Sequence, residues 1–362
     1  MPELTLLREA AGRAGVELVE EAGWLVPAHF GDPAAEYEQA RAGAGLFDQS
    51  HRGKVEVAGA DAGTFLHNLC SNDVRGLPPG HGCEAFLLTA KAKVVAYALL
   101  FHQHLPPGGS AFWLDLAPGT SARVLQHLDR YIISEQVELA DRTAEFAQLH
   151  LAGPRAEAVL CQVLPEGVPA PEPLRHTTAE GEGGAPCQVR RHDPLGVPGY
   201  DLVCPRDQAG ELCRRLLEAG AAPAGLRTFE VLRVEAGTPL QGADVDENTF
   251  APEVGRARQA ISYTKGCYLG QEPVVMARDR GQVNRTLLGL KLPGGVVPPG
   301  SLVYRDGKEV GRVTSSVVSP RLGTAIALAY LRRGNQEPGT AVEVEVAGER
   351  RPAEVASLPF PH

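Results

Sequence analysis

Apolar residues recur with two periods in the first 285 residues, one typical of helices and one of two residues typical of strands. Together these patterns predict a mixture of helices and strands. A helix is predicted from Asp32 as N-cap, with Pro33 at the first helical position, to about Ala44, and it ends at Gly45. Further helices are predicted over 4–22, 61–69, 120–134, 207–219 and 226–236. Alternation of period two predicts strands over 54–58, 86–89, 94–101, 112–116, 146–151, 188–192 and 200–204. This order suits α+β units of ferredoxin-like type, and two such units are expected.

The pattern changes at Thr286, after which short apolar strands alternate with turns. Asp306-Gly307 and Ala347-Gly348 supply turn residues for hairpins between these strands. We therefore expect a separate β-barrel or sandwich over residues 286–362, after an α+β region over residues 1–285. Residues 164–187 are rich in Pro, Gly and Glu, so loops around one weak strand are expected there.

Composition and charge narrow the class of protein. Of the 362 residues, 43% are apolar and 22% are charged, as in soluble globular proteins. No apolar run reaches the roughly 18 residues of a membrane span, so no membrane contact is expected. The acidic N-terminus resembles neither a secretory signal nor a mitochondrial presequence, which favours a cytoplasmic location. The net charge of -9 argues against direct nucleic-acid binding.

The cysteines do not form a pattern typical of a disulfide framework or a metal site. There are seven, an odd number, and they are scattered along a chain expected to be cytoplasmic. Cys70, His81 and Cys83 lie close together in sequence, but they lack a fourth ligand at zinc spacing. We therefore predict neither disulfides nor a metal site.

The segment 265–272 is the densest run of chemically specific residues. It consists of Lys265, Gly266, Cys267, Tyr268, Leu269, Gly270, Gln271 and Glu272. Its two glycines permit positive φ or close backbone approach. Lys265 and a helix start predicted near residue 269 would favour the thiolate of Cys267, which is the candidate catalytic group. The alternative is that Cys267 is a small buried hydrophobic residue in a tight turn.

This segment resembles the K-G-C-[YF]-x-G-Q-E motif of the YgfZ branch of folate-binding proteins, which are relatives of the glycine cleavage T-protein. Residues 27–32, 45–48, 50–54, 61–62, 65–66 and 71–74 are similar to the opening of the T-protein family, so the likeness covers most of the chain. The resemblance implies two related α+β lobes and a C-terminal β-barrel, arranged as a cloverleaf around a central cavity that holds tetrahydrofolate.

The resemblance also implies folate-binding residues. Arg233 falls on the apolar arc of its predicted helix, where it either forms an internal salt bridge, for instance with Glu230 or Asp201, or anchors a ligand carboxylate. Residues 232–242 are similar to the family segment whose arginine contacts folate. Residues 199–202 are similar to the family's G-[YF]-[ED]-[IL], whose acid binds the pterin, which implies contacts from Asp201 and neighbouring Tyr200. The family's upstream G-Y-T-G-E is replaced by residues 193–197.

One expected pair of residues is missing. Aminomethyltransferases of this family carry two aspartates in the strand after the first hairpin, and Ala96 and Tyr97 stand in their place. Neither can act as a carboxylate base or stabilise an iminium-like cation. Tyr97 could instead stack on or hydrogen-bond to a pterin, or be a core residue of its strand.

These observations predict a tetrahydrofolate-binding accessory protein that supports iron–sulfur cluster assembly or repair and contacts cluster enzymes that modify tRNA. In this interpretation Cys267 presents a thiol to the cavity, assisted by Lys265. One alternative is an aminomethyltransferase that moves a one-carbon unit from a lipoyl carrier to tetrahydrofolate. Another is a folate-binding scaffold in which Cys267 is only structural. The sequence leaves open whether the protein is an enzyme.

Overall fold

The computed structural model describes residues 3–4, 7, 16–103, 111–180, 186–279, 281 and 283–361. The first half contains β1 (Glu3–Leu4), β2 (Glu17–Glu21), β3 (Trp24–His29), α1 (Pro33–Ala42), β4 (Gly45–Asp48), β5 (Gly53–Ala58), α2 (Ala62–Leu69), β6 (Gly82–Leu88), β7 (Val94–His102), β8 (Ala111–Leu116), α3 (Ser121–Asp129), β9 (Glu138–Asp141), β10 (Phe146–Ala152) and α4 (Ala156–Val163). There follow β11 (His176–Glu180), β12 (Pro186–Arg191), β13 (Gly199–Pro205), α5 (Ala209–Glu218), β14 (Ala222–Pro223), α6 (Leu226–Glu235), α7 (Ala257–Ala260) and α8 (Gln271–Asp279). The last part contains β15 (Arg285–Leu292), β16 (Leu302–Arg305), β17 (Lys308–Ser319), β18 (Thr324–Arg332), β19 (Ala341–Val346) and β20 (Glu349–Ala356).

Two sheets form the main body of the first 285 residues. One has the strand order β6-β7-β8-β5-β9, and the other has the order β11-β12-β13-β10-β4-β14. Each packs one face against helices, because alternate side chains of a strand point to opposite sides, and most residues on the other face are buried as well. Helices α2 and α3 share a core with the first sheet, and α4 and α5 share a core with the second. The opposite faces of the two sheets are therefore available to line a cavity.

The C-terminal strands close into a barrel with the order β15-β18-β17-β16-β19-β20. Its interior is filled by small and branched apolar side chains, including Val303, Ala327 and Val344. Outward-facing Ile326, Leu328 and neighbouring residues pack against Val234 of α6. The predictions of a mixed α and β protein and of a C-terminal barrel are confirmed. The kinship of the two lobes, the cloverleaf arrangement and the domain boundaries stay predictions.

The helix predicted over 4–22 is wrong at Leu4 and over Glu17–Glu21, where the structure has strands, whereas Leu7 is helical. Glu17–Glu21 is a strand that pairs antiparallel with Trp24–His29. A two-residue turn joins these strands, with φ of 50° at Ala22 and 85° at Gly23. Positive φ at both positions is the geometry that matches the twist of a tight hairpin, so the turn residues override the helical pattern. Residues 5–6 and 8–15 of the predicted helix lie outside the described residues.

The weak strand expected within residues 164–187 is a full member of the six-stranded sheet. His176–Glu180 pairs with β12 over five residues. The helix predicted over 120–134 also differs from the structure, where it ends at Asp129. In both cases the boundary depends on contacts with neighbouring elements and not on local pattern alone.

Candidate active site

A cavity is lined by residues from both N-terminal sheets, helix α6 and six loops. Its lining comprises Gln49, Arg52, Glu84, Tyr97, Ala98, Leu99, Ala117, His150, Pro173, Leu174, Arg191, His192, Asp193, Pro194, Asp201, Phe229, Arg233, Thr238, Pro239, Leu240, Gln241 and Arg256. Apolar surface with a few convergent polar groups is typical of small-molecule sites. Three of the sequence-predicted ligand residues, Asp201, Arg233 and Tyr97, meet in this wall.

Asp201 is only 2% exposed, and both of its carboxylate oxygens are engaged. Oδ1 accepts a hydrogen bond from His150 Nδ1 at 2.8 Å, and Oδ2 accepts one from His192 Nδ1 at 2.7 Å. Burial alone would raise the pKa of Asp201, but its electrostatic interactions and hydrogen bonds with His192 and His150 hold it well below its usual value. The sequence missed both histidines. His150 lies directly opposite Asp201 in the pairing of β10 with β13.

Tyr200 does not reach the cavity, and this part of the prediction needs correction. Because successive side chains of a strand alternate, Tyr200 points to the opposite face of β13 from Asp201. It is 2% exposed within the core shared with α4 and α5. Its hydroxyl donates a hydrogen bond to Glu157 Oε2 at 2.9 Å. Tyr200 is therefore a core residue with a satisfied hydroxyl.

Arg233 lies at the cavity wall, and its guanidinium is held by internal partners. Nη1 is 2.5 Å from Asp244 Oδ2, and Nη2 is 2.6 Å from Glu230 Oε2. Nη2 also donates to Ser315 Oγ at 2.8 Å, and Nη1 to the carbonyl of Thr238 at 3.4 Å. The internal salt bridge with Glu230 that the sequence offered as one alternative is present. Asp244 is a partner that sequence reasoning missed.

Of the two positions that replace the acidic pair, only one faces the cavity. Ala96 is fully buried on the helix-packed face of its sheet, whereas Tyr97 lines the cavity. The Tyr97 hydroxyl donates to Glu84 Oε2 at 2.6 Å, and Arg256 Nε donates to the same oxygen at 3.0 Å. Burial, followed by the charge of Glu84, raises the pKa of Tyr97. A carboxylate is thus present beside Tyr97, supplied by a residue that the sequence did not single out.

The segment 265–272 lies elsewhere. Cys267 is exposed and is not among the residues that line the cavity, so the predicted cavity-facing thiol is wrong. The Lys265 ammonium donates to the carbonyls of His67, Cys70 and Asn72, the last two at 2.8 and 2.7 Å. It also lies 4.9 Å from the ring centre of Tyr268, which is buried. Lys265 therefore binds this segment to the end of α2 and to the loop that follows it.

The remaining motif residues shape the start of a helix. Gln271 and Glu272 are the first two residues of α8, where the acidic side chain of Glu272 is favoured by the helix dipole. Gly270 precedes them with φ of 81°, and a Cβ there would lie 2.5 Å from the Thr89 carbonyl. At Gly266 the nearest atom to an added Cβ is His67 Nε2 at 3.9 Å. Only one of the two glycines is thus required by the backbone.

This difference predicts opposite outcomes for two matched substitutions. Gly270→Ala is expected to lower the free energy of unfolding by about 2 kcal/mol or more, because positive φ and a backbone clash both penalise a Cβ. Gly266→Ala, the control, is expected to change it by less than about 0.5 kcal/mol. Chemical denaturation of the two variants measures the difference. Equal midpoints would show that the turn is not constrained as described.

Two family models match the chain over consecutive regions. The GCVT N-terminal domain matches residues 7–262, and the glycine cleavage T-protein C-terminal barrel domain matches residues 285–361.

The chain belongs to the glycine cleavage T-protein family.

Its relatives in this family match it over almost their full lengths. The chain is 34% identical to an aminomethyltransferase from Rubrobacter xylanophilus, covering 98% of this chain and 93% of that one. It is 33% identical to an aminomethyltransferase from Thermus thermophilus, covering 98% of both. The crystal structure of the glycine cleavage system aminomethyltransferase T from Bartonella henselae is similar with a TM-score of 0.88 and 25% identity, covering 100% of this chain and 98% of that one.

These relatives correct the predicted function. The family is confirmed, but the accessory role in iron–sulfur cluster assembly and tRNA modification is wrong, because relatives at 30–34% identity are named aminomethyltransferases. The motif over 265–272 had favoured the YgfZ branch, and the similarity does not support that branch specifically. Among the described residues of this T-protein family member, no helix is both long and apolar enough to cross a membrane.

Proposed function

We propose that the protein is an aminomethyltransferase that moves a one-carbon unit from an aminomethylated lipoyl carrier to tetrahydrofolate. The observation that carries this proposal is the similarity to proteins of that name over 93–99% of their lengths. Similarity of that extent includes the whole segment that lines the cavity, from Gln49 to Arg256. The same similarity supports tetrahydrofolate as the substrate that accepts the one-carbon unit.

The cavity has the chemistry that a reduced folate requires. Leu99, Leu174 and Phe229 present apolar surface, which suits the faces of a pterin and a benzoyl ring. Gln241 and the charged residues around them supply donors and acceptors for the ring edge. The residues present therefore fit the proposed substrate.

Three residues of the wall have defined partners that limit what they can do for this substrate. The guanidinium of Arg233 is paired with Asp244, so we assign it first to shaping the wall. Tyr97 and Glu84 form a hydrogen-bonded pair on neighbouring strands, which lets Tyr97 contact the substrate while its hydroxyl stays fixed. These assignments replace a direct grip on folate by Arg233 with a role in positioning.

The test is a transfer assay with the purified protein, an aminomethylated lipoyl carrier protein and tetrahydrofolate. We expect formation of methylenetetrahydrofolate and release of ammonia at a rate well above that of a reaction without protein. The same assay with Phe229→Ala is expected to raise the KM for tetrahydrofolate, because an apolar contact is lost. Tetrahydrofolate binding to the wild-type protein, measured by calorimetry, serves as the control for a folded site.

A second candidate is a folate-binding protein without transferase activity, and the absence of a carboxylate at positions 96 and 97 favours it. Tetrahydrofolate binding with no detectable methylenetetrahydrofolate would select this alternative. Absence of both binding and transfer would contradict both candidates.

A further inference from the structure

The cavity wall contains a cluster of two histidines and one aspartate that the proposed function does not yet use. Their ligating atoms, on His150, His192 and Asp201, lie within 4.8 Å of one another. The cluster is built by the sheet: Asp201 and His150 are opposed across two strands, and His192 follows the last residue of β12. Titratable side chains clustered in a cavity are candidates for a chemical role.

Two histidines and an aspartate are a common set of metal ligands, but the hydrogen bonding of this cluster argues against a metal ion. Coordination through Nδ1 would leave a proton on Nε2 of each imidazole, and a ligating histidine normally donates that proton to an acceptor. His150 is 1% exposed, and its Nε2 has no hydrogen-bond partner in the described part of the chain. Metal ligation would therefore leave a buried donor unpaired. When Nδ1 of His150 instead donates its proton to Asp201, Nε2 carries only a lone pair, and no buried donor is left unpaired.

The two histidines differ in access to the cavity. The side chain of His150 is buried, whereas that of His192 is 22% exposed. With Nδ1–H of His192 held by Asp201, the tautomer presents an unprotonated Nε2, and no hydrogen bond to this atom is made by the described residues. This is the arrangement by which a carboxylate orients an imidazole as a base.

The carboxylates that line the cavity are all committed to other partners. Glu84 is bound by Arg256 and by the Tyr97 hydroxyl. Asp193 accepts from Arg191 at 2.9 Å and from the Gly199 amide at 2.7 Å. Asp201 holds the two imidazoles. Because the family's acidic pair is also missing from β7, an acceptor for the proton of the attacking amine has to be found elsewhere.

We infer that His192 is the proton acceptor of this cavity and that Asp201 is the residue that positions it. This inference rests on the proposed transfer to tetrahydrofolate. One secondary amine of tetrahydrofolate forms a bond to the one-carbon unit as the bond from that carbon to the carrier sulfur breaks with its electron pair on sulfur, and a second amine then forms a bond to the same carbon as the bond from carbon to the original amino group breaks and ammonia leaves. In each step the proton of the attacking amine moves to Nε2 of His192, and the imidazolium passes it to the departing group, which is the thiolate in the first step and the amine in the second. No oxidant or further reactant is needed.

The decisive experiment compares His192→Asn with the wild-type protein in the transfer assay. Asparagine retains an N–H close to the position of Nδ1, so the hydrogen bond to Asp201 is kept while the basic nitrogen is lost. We expect kcat to fall by about 100-fold or more, as is typical of a lost general base, with the dissociation constant for tetrahydrofolate within about threefold of wild type. His29→Asn, at a histidine–glutamate pair on β3 away from the cavity, is the matched control and should retain wild-type kcat.

A pH profile separates a chemical role from a structural one. The charged and titratable groups around His192 are Asp201 and His150 across the sheet, Arg191 and Asp193 on its own segment, and Arg52 and Arg190, whose charges act on Asp201. Because only the neutral imidazole accepts a proton, wild-type activity should decline toward acidic pH. That decline should be absent from the residual activity of His192→Asn. Added imidazole should restore part of the activity of His192→Ala.

The outcomes distinguish failure of the proposed function from failure of the role of His192. A wild-type protein that makes no methylenetetrahydrofolate contradicts the proposed function and, with it, this role for His192. An active wild type whose His192→Asn variant keeps both kcat and the acidic decline contradicts only the role of His192. Loss of wild-type activity on chelation, with recovery on adding Zn²⁺, would overturn the proton-acceptor assignment in favour of a metal site.

Discussion

Arg233→Leu is expected to lower the free energy of unfolding by about 3–5 kcal/mol, since removal of one member of a buried ion pair leaves the other charge uncompensated. The charge left behind is Asp244, which is 3% exposed. Its oxygens also accept hydrogen bonds from Thr314 and Ser315 of the barrel strand β17, at 2.5 and 2.7 Å. The arginine therefore joins α6, the 238–244 loop and the barrel at one point, and its loss weakens all three contacts.

Urea denaturation measures this effect, and the same helix offers a control. Arg227 is paired with Glu17, but its side chain is 53% exposed, so Arg227→Leu should change the free energy of unfolding by only about 0.5 kcal/mol. The double variant Arg233→Leu with Asp244→Leu should recover part of the loss, because no buried charge then remains unpaired. A single variant as stable as wild type would contradict the assigned ion pair.

Asp115→Asn is the second substitution with a large expected effect. Asp115 of β8 is 1% exposed and lies between the two sheets. Arg52 Nε and Gln148 Nε2 each donate to one of its oxygens at 2.6 Å, and Arg190 Nη1 lies 3.7 Å away. Asparagine preserves the volume but removes the negative charge that offsets the buried Arg190 and the partly buried Arg52. We expect the free energy of unfolding to fall by about 3–5 kcal/mol.

The consequence for Arg190 makes this prediction specific. Arg190 is fully buried, with its guanidinium carbon 4.1 Å from the ring centre of Phe101. Burial already lowers its pKa to about 10, and the charge of Asp115 is the largest opposing influence. Asp129→Asn, at an exposed position on α3, removes the same charge without this contact and is the control. Equal denaturation midpoints for the two variants would show that Asp115 does not hold the sheets together.

The ion pairs Arg233–Asp244 and Arg52–Asp115 both border the proposed active site. The guanidinium of Arg233 and that of Arg52 are part of the cavity lining, and each is fixed by a buried carboxylate behind it. A reacting group has to be held within a fraction of an ångström, and such supporting contacts provide that rigidity. We therefore expect losses of stability at these positions to be accompanied by weaker tetrahydrofolate binding.

The sequence by itself determined most of the architecture. Alternation located β7, β10 and β13, the N-cap at Asp32 located α1, and the change at Thr286 located the barrel, since these depend on local periodicity. It also selected three residues that meet in the cavity: Asp201, Arg233 and Tyr97. It failed over Glu17–Glu21, where the two-residue turn and a neighbouring strand decided the conformation.

Only the tertiary structure decided the partners, and the partners decide the chemistry. Glu84 and Arg256 are 172 positions apart, and His150 and Asp201 are 51 apart, so no local pattern links them. Which side chains meet over such separations depends on strand register and on how sheets pack, neither of which periodicity specifies. For the same reason the Lys265 ammonium, which in sequence is close to Cys267, is bound in space by the carbonyls of residues 67–72.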